Sequence, residues 1–421
     1  MDCRCVHAVR VTGRTSAACR VAGNRCHFLV AEPIPQGCMM SQRQLAMVMD
    51  LNKCIGCQTC SVACKRLWTR DEGMDYMWWN TVNTQPGQGT PKGWEHSGGG
   101  FRNGQAQGGK LPTRGDFGDA WEFNHEEVFA GGHGTQEHLR PKGATPEWGP
   151  NWDEDQGAGD YPNAYSFYLP RICNHCTHAS CIAACPRGAI EKREQDGIVV
   201  VNEDRCRGYR FCMTACPYKK IYYNHVKKVA QKCIFCFPRI EKGVAPACAR
   251  QCPGRLRFVG YRDDQNAPIW KLVDKWKVAV PLHPEFETGP NVFYVPPLNP
   301  ARIDANGNLD FSEPRIPVEY LVSLFGPAVT GALDVLHAEM KKVKQGGQSE
   351  LIDILIAYEW KDNFGGFDRD PGTVEQSFAF GDCVDDGKHD PQTHDVLAGR
   401  DPLAAREQPL RFFDPIVRRK G

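Results

Sequence analysis

The sequence predicts an α+β fold in which two cysteine-rich units are nested, with a long loop-rich insertion and a C-terminal extension. Three observations support this prediction. Fifteen of the 21 cysteines fall into four motifs. Short apolar stretches typical of strands precede the first and third motifs. A segment rich in Gly and Trp, residues 65–165, separates the first motif from the second.

The four motifs share a common spacing. They are Cys54-x2-Cys57-x2-Cys60-x3-Cys64, Cys173-x2-Cys176-x4-Cys181-x3-Cys185, Cys206-x5-Cys212-x3-Cys216 and Cys233-x2-Cys236-x11-Cys248-x3-Cys252. Each ends in a Cys-x3-Cys step, which suits one turn of helix, and proline follows the last three motifs. Close cysteines, a further one three residues later and then proline form the pattern of bacterial ferredoxins. The motifs therefore predict iron–sulfur clusters and a protein that transfers single electrons.

The order of the motifs predicts how they pair. In two-cluster ferredoxins, the fourth cysteine of each motif binds the other cluster. Motifs two and three are adjacent and form one predicted ferredoxin-like unit, residues 166–224. Motifs one and four then pair around it as a second unit, residues 40–64 plus 225–262. The sequence thus predicts two nested bacterial-ferredoxin-like units with two clusters each.

This crossing rule predicts four ligand sets, numbered here as sites one to four. Site one takes Cys54, Cys57, Cys60 and Cys252, and site two takes Cys64, Cys233, Cys236 and Cys248. Site three takes Cys173, Cys176, Cys181 and Cys216, and site four takes Cys185, Cys206 and Cys212. Four centres in adjacent pairs predict an electron relay, and no catalytic residue is expected in this chain.

Site four has three thiols because Tyr209 stands where a complete motif carries its second cysteine. A phenol cannot hold the fourth iron as a thiolate would. We therefore predict a [3Fe–4S] cluster at site four and [4Fe–4S] clusters at the other three sites. The alternative is that Tyr209 only packs and that another ligand completes a cubane.

Three other classes of protein also use clustered cysteines. Structural zinc sites take cysteines in pairs, whereas here triplets with a remote fourth cysteine recur. Disulfides would have to join very close neighbours. A soluble polyferredoxin, or the iron–sulfur subunit of a formate dehydrogenase or hydrogenase, fits the cysteines, but Tyr209 and the long insertion count against it.

The remaining segments are assigned from composition. Residues 1–39 lack the apolar region of a secretory signal, so they are predicted to be an unstructured leader or to precede a translation start at Met39 or Met40. Tryptophans in residues 65–165 predict an ordered, loop-rich insertion that packs at a subunit interface or forms its own core. Residues 263–421 are predicted to be an extension that packs on a partner subunit.

Short secondary-structure elements are predicted around the motifs. Leu45–Asp50 is predicted as a buried strand leading into motif one, and residues 197–201 as a strand before motif three. Residues 291–297 end in two prolines and are predicted as an edge strand. Two helical segments are predicted between Val318 and about Phe364. Their apolar faces carry Leu321, Leu324 and Phe325, and Leu351, Ile354, Leu355 and Tyr358.

Overall charge and hydropathy give no sign of nucleic-acid binding or membrane insertion. Lys plus Arg number 51 and Asp plus Glu 50, a formal net charge of +1, so no strong field favours nucleic acid. No apolar run approaches the roughly 20 residues that span a bilayer. We therefore expect no nucleic-acid partner and no direct membrane insertion.

Several stretches beside the cysteines resemble a known family. They are Asp50-Leu51-Asn52-Lys53-Cys54-Ile55-Gly56-Cys57, Tyr76-Met77-Trp78-Trp79-Asn80, Asn151-Trp152-Asp153-Glu154-Asp155-Gln156-Gly157-Ala158-Gly159, Cys206-Arg207-Gly208-Tyr209-Arg210, Cys216-Pro217-Tyr218-Lys219-Lys220 and Pro238-Arg239-Ile240-Glu241-Lys242-Gly243. Over about residues 40–360 the chain resembles the iron–sulfur beta subunits of type II dimethyl sulfoxide reductase family molybdoenzymes. Members include the beta subunits of ethylbenzene dehydrogenase and of (per)chlorate, selenate and nitrate reductases.

The resemblance implies two partners and a location. It implies an alpha subunit with a molybdenum bis-pterin centre, nearest the cluster of motif one, and a gamma subunit with haem b, nearest the three-iron cluster. The respiratory nitrate reductase beta subunit usually has tryptophan in place of Tyr209. This difference favours the periplasmic relatives, which are exported as a complex with the alpha subunit; the alternative is the cytoplasmic face of the membrane.

Polar side chains near the motifs are open to two interpretations. His175 and His178 lie inside motif two and are expected either to tune a cluster through hydrogen bonds or to face solvent. Charged side chains are expected either to offset the negative charge of cluster and thiolates or to be ordinary surface residues. These are Lys219, Lys220, Arg207 and Arg210.

Overall fold

The computed structural model describes residues 43–117 and 157–369, together with strands β1 (Arg20–Val21) and β2 (Asn24–Arg25). The chain divides into two units, residues 1–41 and 42–421. In the first unit, β1 pairs antiparallel with β2. Most of the predicted leader, the later part of the insertion and the tail beyond residue 369 lie outside the described residues, as does the stretch 151–156 of the family resemblance.

The described part of the second unit consists of short elements. Its strands are β3 Leu45–Asp50, β4 Thr81–Gln85, β5 Phe101–Arg102, β6 Gln105–Ala106, β7 Phe167–Arg171, β8 Ile190–Lys192, β9 Val199–Val201, β10 Ile221–Asn224, β11 Val229–Lys232, β12 Arg257–Tyr261, β13 Val280–Pro281, β14 Val292–Val295, β15 Ala301–Ile303 and β16 Leu309–Pro314. Its α-helices are α1 Thr59–Trp68, α2 Arg114–Phe117, α3 Ser180–Ala183, α4 Phe211–Ala215, α5 Phe237–Ile240, α6 Ala247–Arg250, α7 Pro268–Trp270, α8 Val318–Phe325, α9 Ala328–Lys344 and α10 Glu350–Ile356. Turns of 3-10 helix lie at Leu51–Lys53, Trp94–His96, Pro284–Phe286 and Trp360–Asn363, with a π-helical turn at Lys271–Lys275. The mixture of helix and strand agrees with the predicted α+β class.

A four-stranded sheet with the order β12–β3–β14–β13 forms the centre of the unit. Strand β3 is antiparallel to β12 and parallel to β14. The prediction of a buried strand at Leu45–Asp50 is confirmed, since all six of its residues are buried. The prediction of an edge strand at residues 291–297 is wrong, because β14 lies between β3 and β13. The prolines follow the last residue of β14 and remove no donor from it, whereas the edge strand β13 contains Pro281.

Both faces of this sheet are covered, because alternate side chains of β3 enter different cores. Met47 and Met49 belong to the core that contains the motif cysteines. Val48 belongs to a second core on the opposite face. That second core also contains Phe258, Ile269, Leu272, Phe293, Leu336, Leu351 and Leu355. A strand buried on both faces is apolar throughout rather than alternating, which explains the continuous apolar run before motif one.

Small antiparallel pairs connect the remaining motifs. Strand β4, in the insertion, pairs with β7, which leads into motif two. Strands β8 and β9 form a hairpin between motifs two and three, and β10 and β11 form one between motifs three and four. The strand predicted at residues 197–201 is confirmed as β9, whose three residues are buried. Each cysteine motif is therefore entered from a strand or leaves into one.

The C-terminal segment contains three helices between Val318 and Ile356 rather than the two predicted segments. Leu321, Leu324 and Phe325 are buried in α8 as predicted. Tyr358, however, is 67% exposed, so its placement on an apolar helix face is wrong. The physical reason is that α10 ends at Ile356 and Ala357 adopts a left-handed conformation that turns the chain away.

Within the described residues, no single helix is both long and apolar enough to cross a membrane. Helices α8 and α9 meet that length and composition test only when taken together, and they are bent by 118° relative to each other.

Candidate iron–sulfur centres

All fifteen motif cysteines are free thiols, and most of them are buried. In every motif, the last two cysteines span a short helix. Cys60 and Cys64 both lie in α1, whereas Cys181, Cys212 and Cys248 lie in α3, α4 and α6 with the final cysteine just beyond the helix. The Cys-x3-Cys step therefore corresponds to about one helical turn, as predicted.

The loops of motifs one and three have the same backbone pattern. In motif one, Gly56 has a φ of 69° and Gln58 a φ of 57°; in motif three, Gly208 has 67° and Arg210 has 63°. Only glycine fits the first of these positions. A Cβ at Gly56 would lie 2.6 Å from the ring of Tyr168, and a Cβ at Gly208 would lie 2.6 Å from the carbonyl oxygen of Lys228. The two loops therefore hold their side chains in equivalent places.

Tyr209 occupies the position in motif three that Cys57 occupies in motif one. Each follows a left-handed glycine, precedes a left-handed N-cap residue, and lies three residues before the helical cysteine, Cys60 or Cys212. Cys57 is exposed and Tyr209 is 57% exposed. Neither side chain is therefore buried in the core of the described residues.

Motifs one and four meet around two cavities. One cavity, of about 320 Å³, is lined by Cys54, Cys57 and Cys60 of motif one and by Cys252 of motif four. The other, of about 310 Å³, is lined by Cys64 of motif one and by three cysteines of motif four. Those three are Cys233, Cys236 and Cys248. The pairing of β3 with β12 and the packing of α1 against α6 bring the two motifs together.

Motifs two and three also exchange one cysteine each. A third cavity, of about 350 Å³, is lined by Cys185 of motif two, by Cys206 and Cys212 of motif three, and by Tyr209. The thiol of Cys216, in motif three, lies close enough to three thiols of motif two to interact with their charges. Those three are Cys173, Cys176 and Cys181.

Thiols of successive sites are also electrostatic neighbours. The thiols of Cys60 and Cys252, in site one, help to raise the pKa of Cys248 in site two. The thiol of Cys173, in site three, helps to raise the pKa of Cys233 in site two. The thiol of Cys216, in site three, helps to raise the pKa of Cys212 in site four. The four thiol sets therefore follow one another in the order one, two, three, four.

The cavities suit polynuclear clusters better than single ions. Among the described residues, no three or more His, Cys, Asp or Glu side chains converge closely enough to hold one metal ion. The cysteines of sites one, two and four instead line three separate cavities. Thiolates arranged in sets of three or four around a cavity are the donor set of iron–sulfur clusters, whereas zinc requires four ligands around one point.

Burial makes these thiols poor thiolates on their own. It raises the pKa of Cys54, Cys212 and Cys248 to about 12, and neighbouring thiols add to the effect. It also raises the pKa of Cys64 and Cys181 well above the usual range. A bound metal deprotonates a coordinating thiol outright. The sites therefore depend on the positive charge of iron to hold their ligands in the binding form.

Polar groups hydrogen-bond to several of the motif sulfurs. The indole Nε1 of Trp68 donates to Sγ of Cys236 over 3.0 Å, and Nη2 of Arg257 donates to Sγ of Cys60 over 3.3 Å. Backbone N–H groups donate to three further sulfurs, those of Cys185, Cys206 and Cys233. Sequence reasoning missed Trp68 and Arg257, because neither lies in a recognisable pattern and only the fold brings them to the sulfurs.

The polar side chains near the motifs, for which the sequence left two interpretations open, are either buried or exposed. Lys219 and Lys220 are 0% and 1% exposed, so their interpretation as surface lysines is wrong. His175 is buried, and its Nδ1 accepts a hydrogen bond from the backbone N–H of Val199 over 3.0 Å. The other three side chains are exposed; these are His178, Arg207 and Arg210.

Cysteine sets of this kind, in a linear order, define an iron–sulfur protein that transfers electrons. A family model described as a 4Fe-4S dicluster domain matches residues 164–262. The chain belongs to the family of iron–sulfur beta subunits that includes those of selenate, chlorate and perchlorate reductase and of dimethylsulfide dehydrogenase. It is accordingly the electron-transfer subunit of an oxidoreductase complex, and the family resemblance found in the sequence is confirmed.

Three relatives illustrate the extent of the similarity. The selenate reductase beta subunit of Thauera selenatis is 56% identical over 330 residues, covering 77% of this chain and 100% of the relative. The dimethylsulfide dehydrogenase beta subunit of Rhodovulum sulfidophilum is 55% identical over 326 residues, covering 77% and 99%. The respiratory nitrate reductase beta subunit of Haloferax mediterranei is 57% identical over 321 residues, covering 74% and 90%.

Proposed function

We propose that the chain relays single electrons through three [4Fe–4S] clusters and one [3Fe–4S] cluster, between a molybdenum catalytic subunit and a haem b subunit. When bound, each cluster accepts and donates one electron. The residues of this chain hold the clusters, shield site two from water and fix the order of the sites. The family membership supports the catalytic partner, and the sequence resemblance supports the haem partner.

The assignment of ligands follows the four sets predicted from the sequence. The cysteines of sites one, two and four each surround a cavity. In site three, the charges of the cysteine thiols interact with one another. Each set combines cysteines of one motif with a single cysteine from another, as the crossing rule requires. This exchange also supports the interpretation as two nested ferredoxin-like units, with residues 65–165 and 263–421 as insertion and extension.

The main support for the relay is that the thiols of site two are buried, whereas sites one and four reach the surface. All four thiols of site two are buried. Site one reaches the surface at Cys57 and at Ile55, which is 70% exposed, and site four reaches it at Tyr209 and Phe211. A relay needs exposed ends for exchange with partners and a shielded interior. As the family resemblance implies, we assign the catalytic subunit to the site-one end and the haem subunit to the site-four end.

Tyr209 supports the three-iron assignment of site four. Its loop has the backbone of a complete motif, yet the position equivalent to Cys57 carries a phenol. An iron at that corner would have no thiolate, so the cluster is expected to retain three irons. Loss of one iron alters the charge and type of the cluster, which are two of the factors that set its potential.

The experiment that tests this function combines EPR spectroscopy with an iron determination on one sample of the purified, air-oxidised complex. We expect an isotropic [3Fe–4S] signal and about fifteen irons per copy of this chain, after subtraction of the partners' metal. An EPR-silent oxidised chain with about sixteen irons would mean four cubanes and would favour a polyferredoxin instead.

We also propose a periplasmic location, with export as a complex with the catalytic subunit. The support for it is Tyr209, at a position where the respiratory nitrate reductase beta subunit usually has tryptophan. Protease treatment of spheroplasts checks the proposal. Digestion of this chain while a cytoplasmic marker survives is the expected result, and protection of both would place the chain on the cytoplasmic side.

A further inference from the structure

Lys220 is a buried lysine that pairs with no carboxylate among the described residues, and burial lowers the pKa of its ammonium group well below the usual range. Its side chain is 1% exposed. Its Nζ donates a hydrogen bond of 2.8 Å to Oγ1 of Thr81. A hydroxyl oxygen compensates only a small part of the cost of removing an ammonium group from water. The position therefore needs another source of negative charge.

The surroundings of Lys220 identify that source. The thiols of Cys64 and Cys233, which belong to site two, and of Cys173, which belongs to site three, all act on the charge of Lys220. Arg171 is a further charged neighbour and repels it. Clusters held by thiolates at these two sites carry net negative charge, so the charge of Lys220 is within reach of two anionic centres.

A cation in this position acts on both centres. Reduction adds one negative charge to a cluster, and a nearby cation stabilises that charge most strongly where water is excluded. We propose that Lys220 is a potential-setting residue shared by sites two and three, and that it raises the reduction potentials of both clusters. The inference rests on the ligand sets of the proposed function.

Lys219 provides a matched comparison. It is equally buried, but its Nζ donates to carbonyl oxygens at the end of α4, those of Thr214 at 2.8 Å and Met213 at 3.5 Å. The thiol that acts on its charge is Cys216 of site three. These two neighbouring buried lysines thus differ in their hydrogen-bond partners and in the thiols that act on their charge, since thiols of site two act on Lys220.

The test is an EPR-monitored redox titration of the purified complex with Lys220→Met, which keeps the length of the side chain and removes its charge. We expect the reduction potentials of the clusters at sites two and three to fall by about 59 mV or more. A fall of that size is about a tenfold shift of the one-electron equilibrium toward the oxidised cluster. The other two potentials should not move. Lys219→Met should move at most the site-three potential, and Lys220→Arg should restore both values.

Each remaining outcome decides the matter. Unchanged potentials in Lys220→Met, or a shift at one site alone, overturn the inference while leaving the proposed function intact. An unmodified complex without clusters at sites two and three removes the proposed function and this inference with it.

If Lys220→Met does not assemble its clusters, recovery of assembly in Lys220→Arg supports a requirement for positive charge. Failure of both variants would make Lys220 a packing residue and overturn the inference.

Discussion

The guanidinium group of Arg257 lies 3.3 Å from the sulfur of Cys60, measured from Nη2 to Sγ, and 2.8 Å from Oδ1 of Asn80. Burial alone would lower the pKa of Arg257, but the thiols of Cys60, Cys248, Cys252 and Cys54 together outweigh burial and raise it. Arg257 therefore stays charged. It borders site one through Cys60 and site two through Cys248, on the strand that pairs with β3.

Replacing Arg257 should lower the reduction potential of the cluster at site one. Arg257→Gln removes the charge-assisted hydrogen bond to Cys60, and such bonds stabilise the more negative, reduced state. We expect a fall of about 60 mV or more, which is about tenfold in the one-electron equilibrium. A redox titration measures it, with Arg302→Gln as the control because Arg302 pairs with Glu313 on the surface. Equal potentials in Arg257→Gln and the parent would contradict the role.

Trp68 offers a finer test at site two. Trp68→Phe keeps most of the buried ring and removes the N–H that donates to Cys236. A neutral hydrogen bond contributes about 1 kcal/mol, so the potential of this cluster should fall by about 40 mV at most.

The matched control for Trp68 is Trp79→Phe. Trp79 lines the same cavity and is buried, but its Nε1 has no hydrogen-bond partner among the described residues. The same titration should therefore give the parent potential for Trp79→Phe. Equal shifts in the two variants would show that ring size, rather than the hydrogen bond, affects the cluster.

Tyr209→Cys should convert site four into a four-iron site. The loop already has the backbone of motif one, so a new thiol would stand in the position of Cys57. We expect about one additional iron per chain and loss of the [3Fe–4S] EPR signal from the oxidised protein. Tyr209→Phe is the control and should keep the signal. A three-iron signal that persists in Tyr209→Cys would show that the missing thiol is not what limits the cluster.

Removal of iron should unfold the cysteine-rich side of the molecule before the other side. The core around the motifs contains many of the ligand cysteines, whereas the second core, with Leu336 and Leu351, contains none. Metal binding and folding are coupled where ligands come from distant segments. Hydrogen exchange after chelation should show lost protection in β8–β11, with α10, whose buried Leu351 and Leu355 belong to the second core, protected longer. Uniform loss of protection across both cores would contradict this order.

Much of the iron–sulfur chemistry could be predicted from local sequence. Cysteine spacing depends on the reach of a tight loop, so the motifs and the odd position of Tyr209 are visible without a structure. The strand at Leu45–Asp50 was predictable for a similar reason, because a strand buried on both faces is apolar along its whole length. The pairing of motifs one and four followed from the crossing rule rather than from any local preference.

Other features could not be predicted because they depend on distant partners. A lysine has the same local pattern whether it points to water or to the protein interior. The burial of Lys220 against Thr81 depends on a segment that is far away in sequence. The prolines after β14 suggested an edge strand, yet β14 is interior because β13 pairs with its free side. Tyr358 continued an apolar spacing, but the left-handed Ala357 ends the helix before it.

The sequence by itself predicted which residues bind iron and how the motifs exchange their cysteines, since both predictions follow from spacing over a few residues and from chain order. Only the tertiary structure decided which side chains surround the sulfurs. Arg257 lies in a strand, Trp68 at the end of helix α1 and Lys220 in the loop before β10. They lie beside the motif cysteines because the central sheet and the α1–α6 packing bring distant segments together. Electrostatic energy depends on distance in space and on exclusion of water, and neither quantity is encoded in local sequence.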